Sequence, residues 1–223
     1  MRNSSFPIIL TADGSPTLQH PNGETYHSIH GAMTESMHVF IQNGLMAWGQ
    51  THATQPCTVL EVGYGTGLNA ALAFQYAQQQ GIAMTYIGLD PTPPSQLGDD
   101  FIMALPTEVR NWMTIIQAVP WNQRQAIGQY GVIEKRMKSV LDLYPTLPID
   151  VIFWDAFSPA CEPDLWKDEV LRNYIGCLNL GGIWVSYTAK GDIRRSLHSM
   201  GLDVRRLPGP PHKHHMLQAI KHD

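Results

Sequence analysis

Thr58-Val59-Leu60-Glu61-Val62-Gly63-Tyr64-Gly65-Thr66-Gly67-Leu68-Asn69 is the stretch on which the fold turns. A short apolar run suited to a buried strand enters three glycines at alternate positions, and a helical pattern over Leu68–Gln80 follows. Glycine at such a strand–helix turn permits a sharp reversal and lets a ligand approach main-chain N–H groups. The helix stops at Gly81, a natural C-terminal cap. The next strand, Met84–Leu89, ends on Asp90, a position where a carboxylate can accept both hydroxyls of an adenosine ribose. Dinucleotide enzymes space these glycines Gly-x-Gly-x-x-Gly to seat a pyrophosphate on the helix end. Here the spacing is Gly-x-Gly-x-Gly, two residues after the acid Glu61. That pattern suits a cationic methionine chain, as in S-adenosylmethionine, better than a pyrophosphate. A purely structural turn and a dinucleotide site are the alternatives.

Outward from this centre the chain alternates strand and helix. Gly131–Arg136 and Asp150–Trp154 read as buried strands, Asp164–Leu178 as a helix, Gly182–Tyr187 as a strand and Ile193–Met200 as a helix. Strands near Asp203–Leu207 and His215–Ile220 close the chain, joined by Leu207-Pro208-Gly209-Pro210-Pro211. Residues 91–130 are broken by prolines into short helices. Such alternation calls for an α/β, Rossmann-like, mostly parallel doubly wound sheet, with one antiparallel strand near an edge. Residues 1–50 read differently. Asp13-Gly14 and Asn22-Gly23 suggest antiparallel hairpins. An amphipathic helix carrying Met37, Phe40, Ile41, Leu45 and Trp48 follows, capped by Thr34 or Ser36. The expected organisation is an extension over 1–50 covering an acceptor pocket and a methyltransferase-type domain over 51–223.

Asp150-Val151-Ile152-Phe153-Trp154-Asp155-Ala156-Phe157-Ser158-Pro159 ends a second buried strand on an acid, an aromatic and a proline. In open α/β sheets ligands bind outside the carboxyl ends of the strands. Asp155 is therefore placed to face a transferred group and Phe157 to stack on a flat acceptor. A capping role for Asp155 and a core role for Phe157 are the plainer readings. Methyl transfer from a sulfonium mostly needs alignment, and an amine nucleophile must shed its proton, which a carboxylate can receive.

Composition narrows the rest. The 223 residues are 43% hydrophobic with a formal charge of −4, which excludes disorder. Three cysteines, Cys57, Cys161 and Cys177, far apart, make no disulfide scaffold. The first residues lack the apolar run of a signal peptide, and no stretch reaches the ~20 apolar residues of a membrane span, so a reduced cytoplasmic protein is expected. The charge is uneven. From Ala189 onward seven Lys and Arg face three acids, while the preceding residues carry eight against sixteen. A basic C-terminal segment with Arg194, Arg195, Arg205, Arg206 and Lys213 could meet phosphates, weakly and in a salt-sensitive way, or simply be a solvated face. The histidines, including His27 and His30 and the group His212, His214 and His215, lack zinc-site spacing, so no metal is expected. Tyr26 and His27 precede the Glu35 helix and can line an acceptor pocket. His27 is as well read as a hydrogen-bonded structural residue, and Glu35 as a first-turn acid. Trp166 reads as packing.

Together these residues resemble the methyltransferase domain of the MnmC family of tRNA-modifying enzymes. The match runs over about residues 24–220: Glu35-Ser36-Met37-His38-Val39-Phe40 with Gly44-Leu45, the block Glu61 to Asn69, and Asp155-Ala156-Phe157-Ser158-Pro159. It continues through Glu162-Pro163-Asp164-Leu165-Trp166 and Gly191-Asp192-Ile193-Arg194-Arg195 to Lys213 and Met216-Leu217. The resemblance implies a class I, S-adenosylmethionine-dependent methyltransferase acting on the aminomethyl group of 5-aminomethyl-2-thiouridine at the tRNA wobble position. It implies that Asp155, with Phe157, stands at the reaction centre. The cofactor is held by Glu61, Gly63, Tyr64, Gly65, Thr66, Gly67, Asn69 and Asp90, and Tyr26, His27, Glu35, Arg194, Arg195 and Lys213 serve the substrate. The chain resembles a stand-alone form, so a flavin-dependent oxidoreductase of the same pathway is expected as a separate protein. Three departures stand out. Ser139 replaces an acid expected near the adenine. Lys213-His214-His215-Met216 lacks the family's Arg. Asp90 is followed by a stiff Pro-Thr-Pro-Pro loop. A methyltransferase for a small amine, a noncatalytic tRNA- or partner-binding module and a dinucleotide oxidoreductase are the competing readings.

Overall fold

The computed structural model describes residues 6–53, 55–143 and 146–222. The five residues on which the signal-peptide reading begins therefore lie outside the described residues. Strands β1 (Ile8–Leu10) and β2 (Pro16–Leu18) form an antiparallel hairpin around Asp13-Gly14, as expected. The second suspected hairpin, at Asn22-Gly23, is reduced to a single bridge between Gln19 and Thr25.

The N-terminal helix begins as α1 (Ala32–Ser36), winds as a π-helix over Met37–Met46 and ends as α2 (Ala47–Gly49). Neither Thr34 nor Ser36 caps it. Gly31 is the cap residue without a side-chain bond, and Ser36 Oγ is buried without a partner. The cap comes instead from the hairpin turn, where Asp13 Oδ2 accepts Thr34 N at 2.9 Å and Thr34 Oγ1 at 2.7 Å. A free helix end takes any acceptor the tertiary structure supplies.

Eight further strands form one sheet: β3 (Cys57–Val62), β4 (Met84–Leu89), β5 (Arg124–Ala126), β6 (Gly131–Arg136), β7 (Ile149–Trp154), β8 (Leu178–Ser186), β9 (Leu202–Pro208) and β10 (His215–Lys221). Their order is β5-β6-β4-β3-β7-β8-β10-β9. The central pairs β6/β4, β4/β3, β3/β7 and β7/β8 are parallel. The C-terminal pair behaves as expected: β10 runs antiparallel to both β8 and β9. The short exposed β5 adds an antiparallel edge on the other side that the sequence pattern did not suggest.

Strand alternation divides the core into two layers. Val59, Tyr86, Val151 and Phe153 face α3 (Leu68–Gln80), α5 (Thr107–Gln117) and the N-terminal helix. The short α4 (Asp99–Met103) precedes α5 and buries Phe101 there. Leu60, Ile152, Trp154 and Trp184 face α6 (Asp168–Gly176) and α7 (Gly191–Ser199). The N-terminal helix shares the first layer: the Phe40 ring lies 5.3 Å from that of Phe153. The helix expected over Asp164–Leu178 splits into a 3-10 turn, Pro163–Trp166, and α6, and β8 takes Leu178. Among the described residues no helix is long and apolar enough to cross a membrane.

Candidate functional site

Successive strands leave β3, with β4 on one side and β7 on the other, so the chain reverses direction beside β3. Their carboxyl ends meet there, where open α/β sheets bind ligands. Backbone pairing continues past the strands: Asp155 N donates to Val62 O at 2.8 Å, and Gly63 N and Tyr64 N both donate to Leu89 O at 3.0 Å. Gly63, Asp90 and Asp155 therefore edge one cavity of ≈ 800 Å³, within the usual size range of ligand pockets.

Two glycines are required by this geometry. Gly63 has φ +85°, and a Cβ on it would collide with the Asp155 carbonyl. Gly65 has φ +52°, and a Cβ there would lie 2.8 Å from Tyr26 Cδ1. Asp90 is buried and orders the loop, its Oδ2 accepting Gly65 N at 2.8 Å and its Oδ1 accepting Thr92 N at 2.9 Å. Each of these oxygens keeps a lone pair for a further donor. Burial pushes the Asp90 carboxyl up, against the two backbone bonds. Ser139 lines the same cavity.

One wall of the cavity combines residues 24–35 with the loop that follows β7. Asp155 has a side chain only 9% exposed, with Oδ2 accepting Asn69 Nδ2 at 2.8 Å and lying 4.0 Å from His27 Nδ1. Burial first, then the Glu61 and Glu35 carboxyls, push its pKa well above the ordinary range, while Asn69 and Lys213 pull the other way. His27 Nε2 lies 3.1 Å from Thr66 Oγ1. Burial pushes this imidazole down to about 4, so it is neutral at pH 7, with Glu35 opposing the shift and Lys213 adding to it. Glu35 is buried, accepts Ser28 N at 2.8 Å and pairs closely with Lys213, whose ammonium sits 4.2 Å from the centre of the Tyr187 ring. Phe157 is half-buried beside the cavity, 4.9 Å from the ring of His20 and 5.5 Å from that of Tyr26. Trp166 is buried and donates to Phe157 O at 2.9 Å, so it holds the loop from behind.

Of the residues singled out by sequence, Tyr26, His27, Glu35, Gly63, Gly65, Asp90, Ser139, Asp155, Phe157 and Lys213 border the cavity. Glu61, Tyr64, Thr66, Gly67 and Asn69 do not. Glu61 is fully buried, with Asn69 Nδ2 donating to Oε1 and Tyr86 Oη to Oε2, both at 2.7 Å. As an odd-numbered position of β3 it points, like Val59, towards α3 and away from the loop's open face. Tyr64 packs against Gly67 and Gly88, and Thr66 serves His27. Arg194 and Arg195 lie exposed on α7, away from the cavity, and Arg195 is paired with Asp192. The cluster His30 and His212 is a ring stack at 4.1 Å. Sequence reading missed Glu24, which accepts Ser158 Oγ at 2.6 Å, and Tyr187, which donates to Ala156 O at 2.9 Å. Both secure the Asp155 loop from distant segments, and no local motif marks them.

The donor set fits a cationic adenosyl ligand. Glu24, Glu35, Asp90, Asp155, Glu162 and Asp164 line the cavity against one basic side chain, Lys213. A pyrophosphate would face repulsion there, whereas a sulfonium and an ammonium are attracted.

A family of S-adenosyl-L-methionine-dependent methyltransferases matches residues 129–222. The tRNA 5-methylaminomethyl-2-thiouridine biosynthesis bifunctional protein MnmC of Methylobacillus flagellatus is 28% identical over 218 residues, covering 92% of this chain. That of Pseudomonas fluorescens is 28% identical over 88% of the chain. The chain spans about a third of the length of these relatives, 33% and 32%. Among solved structures, MNMC2 from Aquifex aeolicus superposes with a TM-score of 0.83 at 26% identity, over 97% of this chain and 70% of that one. Spermidine synthase from Thermotoga maritima shares the fold, with a TM-score of 0.54 at 12% identity over 92% of this chain and 68% of that one.

Proposed function

We propose that this chain, kin to the MnmC proteins in sequence and structure, is an S-adenosylmethionine-dependent methyltransferase that methylates the aminomethyl group of 5-aminomethyl-2-thiouridine at the wobble position of tRNA. The observation that carries the reading is Asp155: a buried carboxyl with a raised pKa, facing the cavity that the glycine loop and Asp90 edge. S-adenosylmethionine supplies an electrophilic methyl group on a sulfonium. Gly63, Gly65, Asp90 and Ser139 are the residues suited to hold it.

An aminomethyl acceptor arrives as an ammonium, which cannot attack. Asp155 takes one N–H proton and leaves the amine lone pair free. The freed lone pair would then be able to accept the methyl group that a bound sulfonium would supply, and the proton on Asp155 would pass to water. His27, neutral, offers one donor and one acceptor beside this carboxylate. Glu35 and Lys213 balance each other and leave the carboxyl of Asp155 to meet the cation. Phe157 and Tyr26 supply ring faces on which a flat base can rest, with His20 packed against both. Residues 1–50 contribute Tyr26, His27 and Glu35 and thereby cover the acceptor side of the cavity.

Incubation with S-adenosylmethionine and tRNA carrying the 5-aminomethyl nucleoside, followed by nucleoside mass spectrometry, should show a gain of one methyl group. No conversion overturns the tRNA reading. A small-amine acceptor is the second reading, favoured by the pairing of Arg195 with Asp192 and of Arg205 with Asp203, which offsets part of the positive charge of the C-terminal segment. Methylation of free amines but not of tRNA would select it.

A further inference from the structure

Beneath the glycine loop, one amide joins two buried carboxyls. Asn69 Nδ2 donates to Glu61 Oε1 at 2.7 Å and to Asp155 Oδ2 at 2.8 Å, and its own Oδ1 has no partner. The orientation of the amide is thus dictated by the carboxyls on its nitrogen side. Glu61 and Asn69 are 0% and 1% exposed, and neither borders the cavity. A carboxylate so placed cannot touch a ligand lying above the loop, but it can act on Asp155.

We propose that Glu61 and Asn69 are positioning residues that set how readily Asp155 accepts a proton, and are not ligands of the cofactor. The inference rests on the assignment of Asp155 as the proton acceptor. Two carboxyls bridged by one buried amide cannot both ionise easily, so Glu61 competes with Asp155 for the single negative charge. Burial and Asp90 push Glu61 up to about 8, opposed by the hydrogen bonds from Tyr86 and Asn69. Asn69 acts in the opposite sense, because its N–H stabilises the Asp155 anion. The other groups facing Asp155 are His27, Glu35, Lys213, Tyr86 and Tyr187, from five different segments. His27 is neutral and Glu35 is paired with Lys213, which leaves Glu61 as the unpaired acid nearest the bridge.

The two residues give opposite signs in one experiment. In protein with 13C-labelled aspartate carboxyls, the Asp155 signal is assigned by its loss in Asp155→Asn and titrated without any acceptor. Glu61→Gln keeps the bonds to Asn69 and, by rotation of its hydroxyl, to Tyr86. It should lower the Asp155 midpoint by about one pH unit. Asn69→Leu should raise the midpoint, and it remains decisive if the first variant does not fold. S-adenosylmethionine binding, read by calorimetry, should change little in Glu61→Gln, and the acid limb of the methylation rate should move with the midpoint. An unmoved midpoint overturns the proposal, and so does a roughly tenfold loss of cofactor affinity in Glu61→Gln, whatever the midpoint does. Failure of tRNA methylation leaves the titration intact, so the two readings fail separately.

Discussion

Asp155 owes its chemistry to its surroundings, since an exposed aspartate is a weak base at neutral pH. Burial and the neighbouring acids raise its pKa, so the base form is present above the raised value and is lost as pH falls through it. The methylation rate should accordingly rise with pH along an acid limb shifted upward from the ordinary aspartate range. Asp155→Asn should lower turnover about 10²- to 10⁴-fold, with S-adenosylmethionine affinity nearly unchanged. A parallel measurement of rate and cofactor binding checks this, and unaltered turnover would remove Asp155 from the chemistry. His27, pushed down to about 4, is neutral throughout the working range and cannot be the source of that limb. His27→Gln should therefore retain the limb even where its rate is reduced. The identity and position of Asp155 were legible in sequence, because a hydrophobic strand ending in an acid before Ala156-Phe157-Ser158-Pro159 is a local pattern. Its proton affinity was not, since Glu61, Asn69, Glu35 and Lys213 reach it from separate segments.

The glycine loop and the N-terminal helix show how an element is completed by its neighbours. Gly65 faces the Tyr26 ring, so Gly65→Ala must displace that ring and strain a left-handed backbone. We expect at least a tenfold loss of cofactor affinity together with weaker acceptor binding, measured by calorimetry on the folded variant; loss of only one of the two would contradict the coupling. At the helix, Asp13 replaces the cap assigned to Thr34 or Ser36. Burial would raise the Asp13 carboxyl, but hydrogen bonds from Ser15 and Thr34 outweigh it and hold the group well below its usual value. A depressed carboxylate contributes stability above its unfolded pKa and loses it as pH falls through the folded one. Asp13→Ala should cost about 1 kcal/mol at pH 7. The deficit against wild type should shrink in acid, which denaturation midpoints at the two pH values will test. Strand and helix patterns were readable for β3, α3, β4 and β6 because their apolar periods are local. The cap was not, because Asp13 supplies it from a distant turn, and the 3-10 break before α6 was not, because the apolar spacing does not mark the extended backbone of Lys167.

At the scale of the whole molecule, charge is the feature the sequence described only in bulk. The basic C-terminal segment is dispersed: Arg194 and Arg195 lie exposed on α7, Arg205 pairs with Asp203 on β9, and Lys213 turns into the cavity. Few phosphates can be neutralised by such a surface. Binding of tRNA should therefore weaken with salt along a shallow slope, of about two to three released ions. A filter-binding series across ionic strength measures it, and a slope as steep as that of a repressor would show a basic surface elsewhere. The sequence by itself determined the α/β class, the glycine turn, the acids closing two strands and the resemblance these motifs carry, because each depends on residues near one another in the chain. Tertiary structure alone decided which residues border the cavity. Pleating turns Glu61 down while the loop above it stays open, and only the assembled sheet brings Glu35, Asn69 and Lys213 around one buried carboxyl.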